Sequence, residues 1–359
     1  MNQSHDTELL ARIARSVTWF GERVYGNAAW ESASPLYAQF CADMIGDTAI
    51  LTLMADADQH QQITHLLFGS VHYLLLNGEQ HPLTDFYADL CAEPRPKAEA
   101  YPYFRAFCLE HADEIHRLVT TKRVQTNEVW RCTGLLPAFG LVAQHGQGKP
   151  LALLEIGPSA GLILLWDQYG YDYGAAGYVG TKSSPVQLSC KLRGNLQPPL
   201  PHALPPIAWR AGIDLLPIDV GNEEETRWLQ ALIWPEQKVR AALLQRAIKL
   251  AQQHPPRLIA GNALDLLPTL LAKMPQESTL CVYHSYALNQ APKDVRDGIF
   301  ALLAEYSRVR DFFRVSLEWY TGQTDATLEL FAYQQGNVQG ELLAHCEGHG
   351  RWIEWLQKE

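Results

Sequence analysis

The sequence predicts an α/β protein with a doubly wound, mainly parallel sheet, an antiparallel C-terminal edge and an all-helical N-terminal domain. Three observations carry the prediction. Apolar residues recur at three- and four-residue steps through the N-terminal part of the chain, which places them on single helical faces. From residue 151 short, wholly apolar runs alternate with helical stretches, the texture of strands covered on both faces. From residue 312 strand follows strand with no helix between, which requires antiparallel neighbours.

The helical part begins with Leu9, Leu10, Ile13, Val17, Phe20 and Val24 on one face. "QHQQITHLLFGSVHYLLLNG" is a second helix, stopped near Asn77-Gly78. "CAEPRPKAEAYP" has three prolines and is excluded from a helix interior. "YFRAFCLEHADEIHRLV" and "TNEVWRCTGLLPAFGLVAQHG" resume the pattern, the latter capped by Thr126 or Asn127. "HGQGKP" is a loop that sets the expected boundary: a helical domain over 1–148 and an α/β domain over 149–359.

In the second domain "PLALLEIG" is a strand, "SAGLILLWDQYG" a helix, and residues 171–206 an irregular insertion with one strand, "PVQLSCKL". "IAWRAGIDLLPIDV" holds the next core strand. "EEETRWLQALIWPEQKVRAALLQRAIKLAQQ" is helical with acids in its first turn, as the dipole favours, and breaks at Pro235. "PRLIAGNALD" and "TLCVYHSYAL" are strands, each followed by a helix; "FFRVSLEWY", "LELFAYQQ" and "GELLAHCEGHGRWIEWL" close the chain as strands.

Composition narrows the function. A net charge of -10 disfavours nucleic acid and anionic membrane as partners. The seven cysteines are scattered with no CxxC pair, so reduced thiols and a cytoplasmic location are expected. The N-terminus lacks a signal pattern, and no apolar run approaches the ~20 residues of a membrane helix. No metal is expected: His345, Cys346 and His349 have no obvious fourth ligand, and His345 and His349 would share one side of a strand.

The chemistry is concentrated at "LLEIGPSAGL". A strand that feeds a glycine turn and then a helix leaves free N–H groups at the strand's carboxyl end. Gly157 and Gly161 let the backbone approach a ligand, Ser159 fills the turn, and Glu155 is an acceptor at the strand end. The second glycine of G-x-G-x-x-G is missing, which disfavours NAD. The form acid-x-Gly-x-x-x-Gly resembles motif I of the class I S-adenosylmethionine-dependent methyltransferases. The resemblance implies a seven-stranded, Rossmann-type sheet and S-adenosylmethionine as cofactor, with Glu155, Gly157, Ser159 and Gly161 holding its methionine part. "AGIDLLP" then resembles the second motif, with Asp214 on the ribose hydroxyls, although it lies much further on than the family's usual ~20 residues. "AGNALDLLP" resembles the third, with Asn262 and Ala263 bordering the adenine and Asn in place of the usual acid. His284 in "CVYHSYALNQ", beside Ser285 and Asn289, would be the general base for methyl transfer to a small-molecule substrate. Each has a structural reading too: Asp214 and Asn262 as helix caps, His284 as a core histidine. The amino-methyltransferase Asn/Asp-Pro-Pro-Tyr motif is absent.

Gly157-x-Ser159-x-Gly161 also matches a nucleophile elbow, with Ser159, an acid and His349 as a serine hydrolase triad. A third reading is a non-catalytic ligand-binding or interaction protein on a methyltransferase-like fold. Over most of its length the chain resembles a bacterial family described as domain of unknown function 2332, through "LLPAFGLVA", "PLALLEIGPSAGLILLWDQYGYDYG", "SPVQLSCKLRG", "RAGIDLLPIDV", "RWLQALIWPEQ", "PRLIAGNALDLLP", "LCVYHSYALNQ" and "GRWIEWL". That resemblance implies a shared fold and brings no activity with it.

Overall fold

A computed structural model describes residues 3–26 and 33–357. The chain forms two compact units: residues 1–126 with 222–245, and residues 127–221 with 246–359. This division differs from a cut at 148/149 by one helix and by the segment 222–245.

The first unit is helical: α1 (Gln3–Phe20), α2 (Pro35–Met44), α3 (Thr48–Thr52), α4 (Ile63–Leu76), α5 (Tyr101–Glu110) and α6 (Ala112–Thr121). After α7 (Cys132–His145), which belongs to the second unit, α8 (Glu223–Ala231) returns to the first, and α9 (Lys238–Gln253) spans the boundary. Side-chain caps start α2 and α8. Ser34 accepts from Tyr37 N at the start of α2, with Pro35 in the first turn. Asn222 accepts from the Glu224 and Glu225 amides ahead of α8. Helix α4 is apolar nearly all round and is buried along almost its whole length. It packs on α8 at Gly69, where a Cβ would lie 3.1 Å from Leu232. The core is aromatic: Tyr37 stacks on Phe68 at 4.4 Å and Phe40 on Phe104 at 4.3 Å.

The second unit holds β1 (Leu151–Ile156), β2 (Gly170–Asp172), β3 (Tyr178–Gly180), β4 (Gln187–Ser189), β5 (Lys191–Arg193), β6 (Ile207–Asp214), β7 (Leu258–Ala260), β8 (Thr279–Ser285), β9 (Phe312–Glu318), β10 (Ala326–Gln334), β11 (Asn337–Cys346) and β12 (Trp352–Trp355), with α10 (Ala263–Ala272) and α11 (Lys293–Tyr306). The main sheet has nine strands, not seven, in the order β5-β12-β11-β10-β9-β8-β1-β6-β7. Strands β7, β6, β1, β8 and β9 are mutually parallel, and β9 to β12 form an antiparallel meander. The outermost strand at that end is β5, which comes from the 171–206 segment and runs parallel to β12. The same segment builds a separate small sheet, β3-β2-β4. "PVQLSCKL" therefore supplies two short strands to two sheets, divided at Cys190.

Strands β1 and β8 are buried throughout. The alternation of their side chains sorts the chemistry. Ala152, Leu154, Ile156, Leu280 and Val282 join α10 and α11 in one apolar core. On the other face Tyr283 meets Phe139 of α7, ring centroids 5.1 Å apart. Helix α7 thus packs with the sheet. It is preceded by a 3-10 turn that Glu128 caps through Trp130 N, not by a cap at Thr126 or Asn127.

No α-helix follows the glycine turn. Residues Ile163–Gln168 form a 3-10 segment with a kink at Leu165. Arg210 of β6 holds it, binding Asp167 with both guanidinium nitrogens (2.5 and 2.8 Å) and the Leu164 carbonyl at 2.7 Å. The seven cysteines are all free thiols. No helix among the described residues is long and apolar enough to cross a membrane.

Candidate functional site

The register sets the carboxyl ends of three parallel strands level. Ile156 of β1 lies beside Ile213 of β6 and His284 of β8. Connections leave β1 and β8 toward opposite sides of the sheet, so their shared end is a topological switch point, where ligands of open α/β sheets bind. Glu155, Gly157, Ser159, Gly161 and Asp214 are brought together here. Asn262 and Ala263 follow β7, and Gly261 N donates to the Asp214 carbonyl at 2.9 Å. His284 is on the opposite face from Glu155.

Four of the turn's donors are committed within the chain. Gly157 N donates to Ile213 O (2.8 Å), Ser159 N to Asp214 Oδ2 (2.8 Å), Gly161 N to Pro158 O (2.8 Å) and Leu162 N to Asn127 Oδ1 (2.9 Å). Its space is committed too. A Cβ on Gly157 would come within 2.4 Å of Ala287 Cβ, so the glycine lets the loop after β8 cross the end of β1. A Cβ on Gly161 would strike Pro256 and Leu258, and one on Gly212 would strike Pro158. Gly157 and Gly161 have φ of +76° and +71°, the region glycine adopts without strain. Ser159 and Tyr286 reach φ of +53° and +54° without that freedom. The two strained residues follow β1 and β8, flanking the switch point.

Each candidate acid has an internal task. Asp214 accepts from Ser159 N with one oxygen and from Leu216 N (2.9 Å) with the other. Asn262 caps α10 by accepting from Leu264 N at 3.0 Å, and Ala263 is the helix's first residue. Glu155 is 1% exposed and accepts from the Tyr283 hydroxyl at 2.9 Å. Burial pushes its carboxyl up to about 8, the Asp214 charge adds to this, and the Tyr283 hydroxyl and Arg131 pull it back.

His284 is fully buried. Its Nδ1 donates to Glu318 Oε1 at 2.6 Å, and its Nε2 accepts from the Arg314 guanidinium at 2.9 Å. Arginine only donates, so these partners fix the neutral Nδ1–H tautomer. Burial lowers the imidazole's proton affinity, against the pull of Glu318. In this arrangement the lone pair a general base needs is bound to the Arg314 guanidinium. Asn289 Nδ2 donates to Trp319 O (2.9 Å), and Ser285 Oγ is buried with no hydrogen-bond partner among the described residues. His345 pairs with Glu354 of β12, while His349 lies in the turn after β11 with Nδ1 3.2 Å from Glu347 Oε1, so the two do not share a strand. No group of three or more His, Cys, Asp or Glu among the described residues is placed to hold a metal ion.

Three organising residues escape the sequence reading. Asn127 clamps the glycine turn from both sides, donating to Pro158 O (2.8 Å) and accepting from Leu162 N; its position before a helical stretch makes it look like a cap. Glu318 receives the His284 imidazole and the amides of Ala287, Leu288 and Asn289 (3.2, 3.0 and 3.3 Å). It carries the same signal as Glu155 and Asp214, an acid that ends an apolar strand. Arg131 lies 4.0 Å over the Tyr286 ring and donates to Gly348 O.

Residues 22–355 match the family described as "uncharacterized protein conserved in bacteria (DUF2332)". The chain belongs to that family. The match takes in both units and every residue of the switch point, so the family's fold includes the helical unit as well as the sheet. No curated protein matches the chain.

Proposed function

We propose that this protein is a non-catalytic ligand-binding or interaction protein built on a methyltransferase-like sheet. The observation that carries the reading is the closed glycine turn: the donors at Gly157, Ser159, Gly161 and Leu162 all have acceptors within the chain, and Ala287 fills the space over Gly157. By the methyltransferase resemblance, a bound S-adenosylmethionine would draw on those donors and that space for its amino-acid end, and on the Asp214 carboxylate for its ribose. The residues present do not fit it in this arrangement, and His284 offers no free base.

Methyl transfer stands as a second reading because of one observation. The order β7-β6-β1-β8-β9, all parallel, puts Glu155, Asp214 and Asn262 at the ends of three consecutive strands on one edge. Calorimetry with S-adenosylmethionine and S-adenosylhomocysteine decides between the two. The proposal expects no saturable heat up to millimolar ligand. Micromolar binding that is lost in Asp214→Ala and kept in Ser159→Ala replaces it with the methyltransferase. Covalent labelling of Ser159 by a fluorophosphonate, lost in Ser159→Ala, replaces it with the hydrolase.

A further inference from the structure

The Pro158–Gly161 turn has the makings of an anion site. It presents the Ser159 N–H at a strand end, and Ser159 has a strained φ of +53°. A carboxylate already occupies that donor: Asp214 Oδ2 lies 2.8 Å from Ser159 N. The contact is fastened at both sides. Asp214 Oδ1 accepts from Leu216 N (2.9 Å), and Ile218 N donates back to the Ser159 carbonyl (3.2 Å). The segment Leu215–Ile218 thus lies along the turn, carrying the carboxylate with it.

We infer that Asp214 is a built-in occupant of the glycine turn: its carboxylate takes the place of an external anion and keeps the turn closed. This rests on the closed-turn reading of the function and adds a cause to it. The turn would bind a small carboxylate if its own were removed. A charged acceptor on a backbone amide forms a short, strong bond, and an intramolecular carboxylate outcompetes a dissolved one because its ordering is already included in folding.

The inference reverses the role of Asp214 expected of a cofactor ligand. A ribose-binding acid, when deleted, loses a ligand; a self-occupant, when deleted, gains one. The test is chemical rescue. Melting curves are recorded for the wild type, Asp214→Ala and Asp214→Asn, each with sodium formate and with sodium chloride at equal ionic strength. Asp214→Ala is expected to melt about 3–6 °C below the wild type. Formate should restore at least half of that loss, with the wild type unmoved relative to chloride. Asp214→Asn keeps a neutral acceptor and should fall between the two, with a smaller formate response; it serves in place of the alanine variant if that does not fold. Equal melting of Asp214→Ala and wild type overturns the inference, as does a formate shift of the same size in wild type and variant, or none in either variant. Failure of rescue with no binding of S-adenosylhomocysteine to the wild type removes this inference alone. Failure of rescue together with micromolar binding removes the proposed function as well.

Discussion

Glu318→Ala is expected to destabilise the sheet unit by about 4 kcal/mol or more, the largest single effect anticipated. The side chain has no solvent exposure and receives four donors: the His284 imidazole and three consecutive amides of the loop after β8. Its removal leaves the buried His284 and Leu288 donors and the half-buried Ala287 and Asn289 amides without their acceptor, at a penalty of roughly 1–3 kcal/mol for each that stays buried and unsatisfied. It also breaks the chain of bonds that runs from Glu318 through His284 to a buried cation. Arg314 is 5% exposed, with Nε on the Tyr333 hydroxyl (3.1 Å) and its guanidinium 3.8 Å from the Phe331 ring centroid. Glu318→Gln keeps the volume and an acceptor but not the charge, and should lose about half as much. Urea unfolding of the three proteins measures this. A Glu318→Ala unfolding free energy within about 1 kcal/mol of the wild type would mean that the network does not hold the loop.

The second large effect is a pH dependence that belongs to Glu155. Its folded carboxyl titrates near 8 against an ordinary value of 4.5. Below 4.5 folded and unfolded chains are both protonated. Between 4.5 and 8 the unfolded chain releases the proton and the folded one keeps it, so stability falls as pH rises, by about 1.4 kcal/mol per unit. His284 works in the opposite sense. Its folded imidazole is held below 6.5, so below that pH the unfolded chain takes up a proton that the folded one refuses. His65 does the same in the helical unit, lowered to about 4 by burial, with Nε2 donating to Leu232 O and Nδ1 accepting from Tyr25. Those groups are common to the wild type and Glu155→Gln, so the difference between the two proteins from pH 6.5 to 8 reports Glu155. Relative to Glu155→Gln the wild type should lose about 2 kcal/mol across that range, and Glu155→Gln should be more stable than the wild type at pH 8. Equal slopes in the two proteins would refute the assignment.

Much of the fold was legible in the sequence. The apolar runs at 151–156 and 279–285 became strands buried on both faces, and the periodicity at 63–76 became a buried helix, because burial and pattern agree there. The helix expected after the glycine turn did not form. Periodic apolar residues at 162–166 read as helical, but the tie between Arg210 and Asp167 and the buried tyrosines 169, 171 and 173 set a tighter 3-10 course. The segment 222–245 looked like part of the α/β alternation; only tertiary packing of Trp228 and Leu232 assigns it to the helical unit.

The site was legible as a set of positions and not as a set of roles. Glu155, Gly157, Ser159, Gly161 and Asp214 converge, as their places at strand ends imply. The sequence cannot show whether an amide faces a ligand or a side chain of its own chain. Asn127 and Asp214 decide that for this turn, from 30 and more residues away in sequence. Gly157 illustrates the ambiguity: a glycine needed for a cofactor's approach and one needed for Ala287 are the same letter.

The most direct measurement is amide hydrogen exchange at Ser159, Gly161 and Leu162, with and without saturating S-adenosylhomocysteine. A turn closed by its own chain predicts protection of about a hundredfold or more in the free protein, unchanged on adding the compound. Rapid exchange in the free protein that slows when the compound is added would contradict the account.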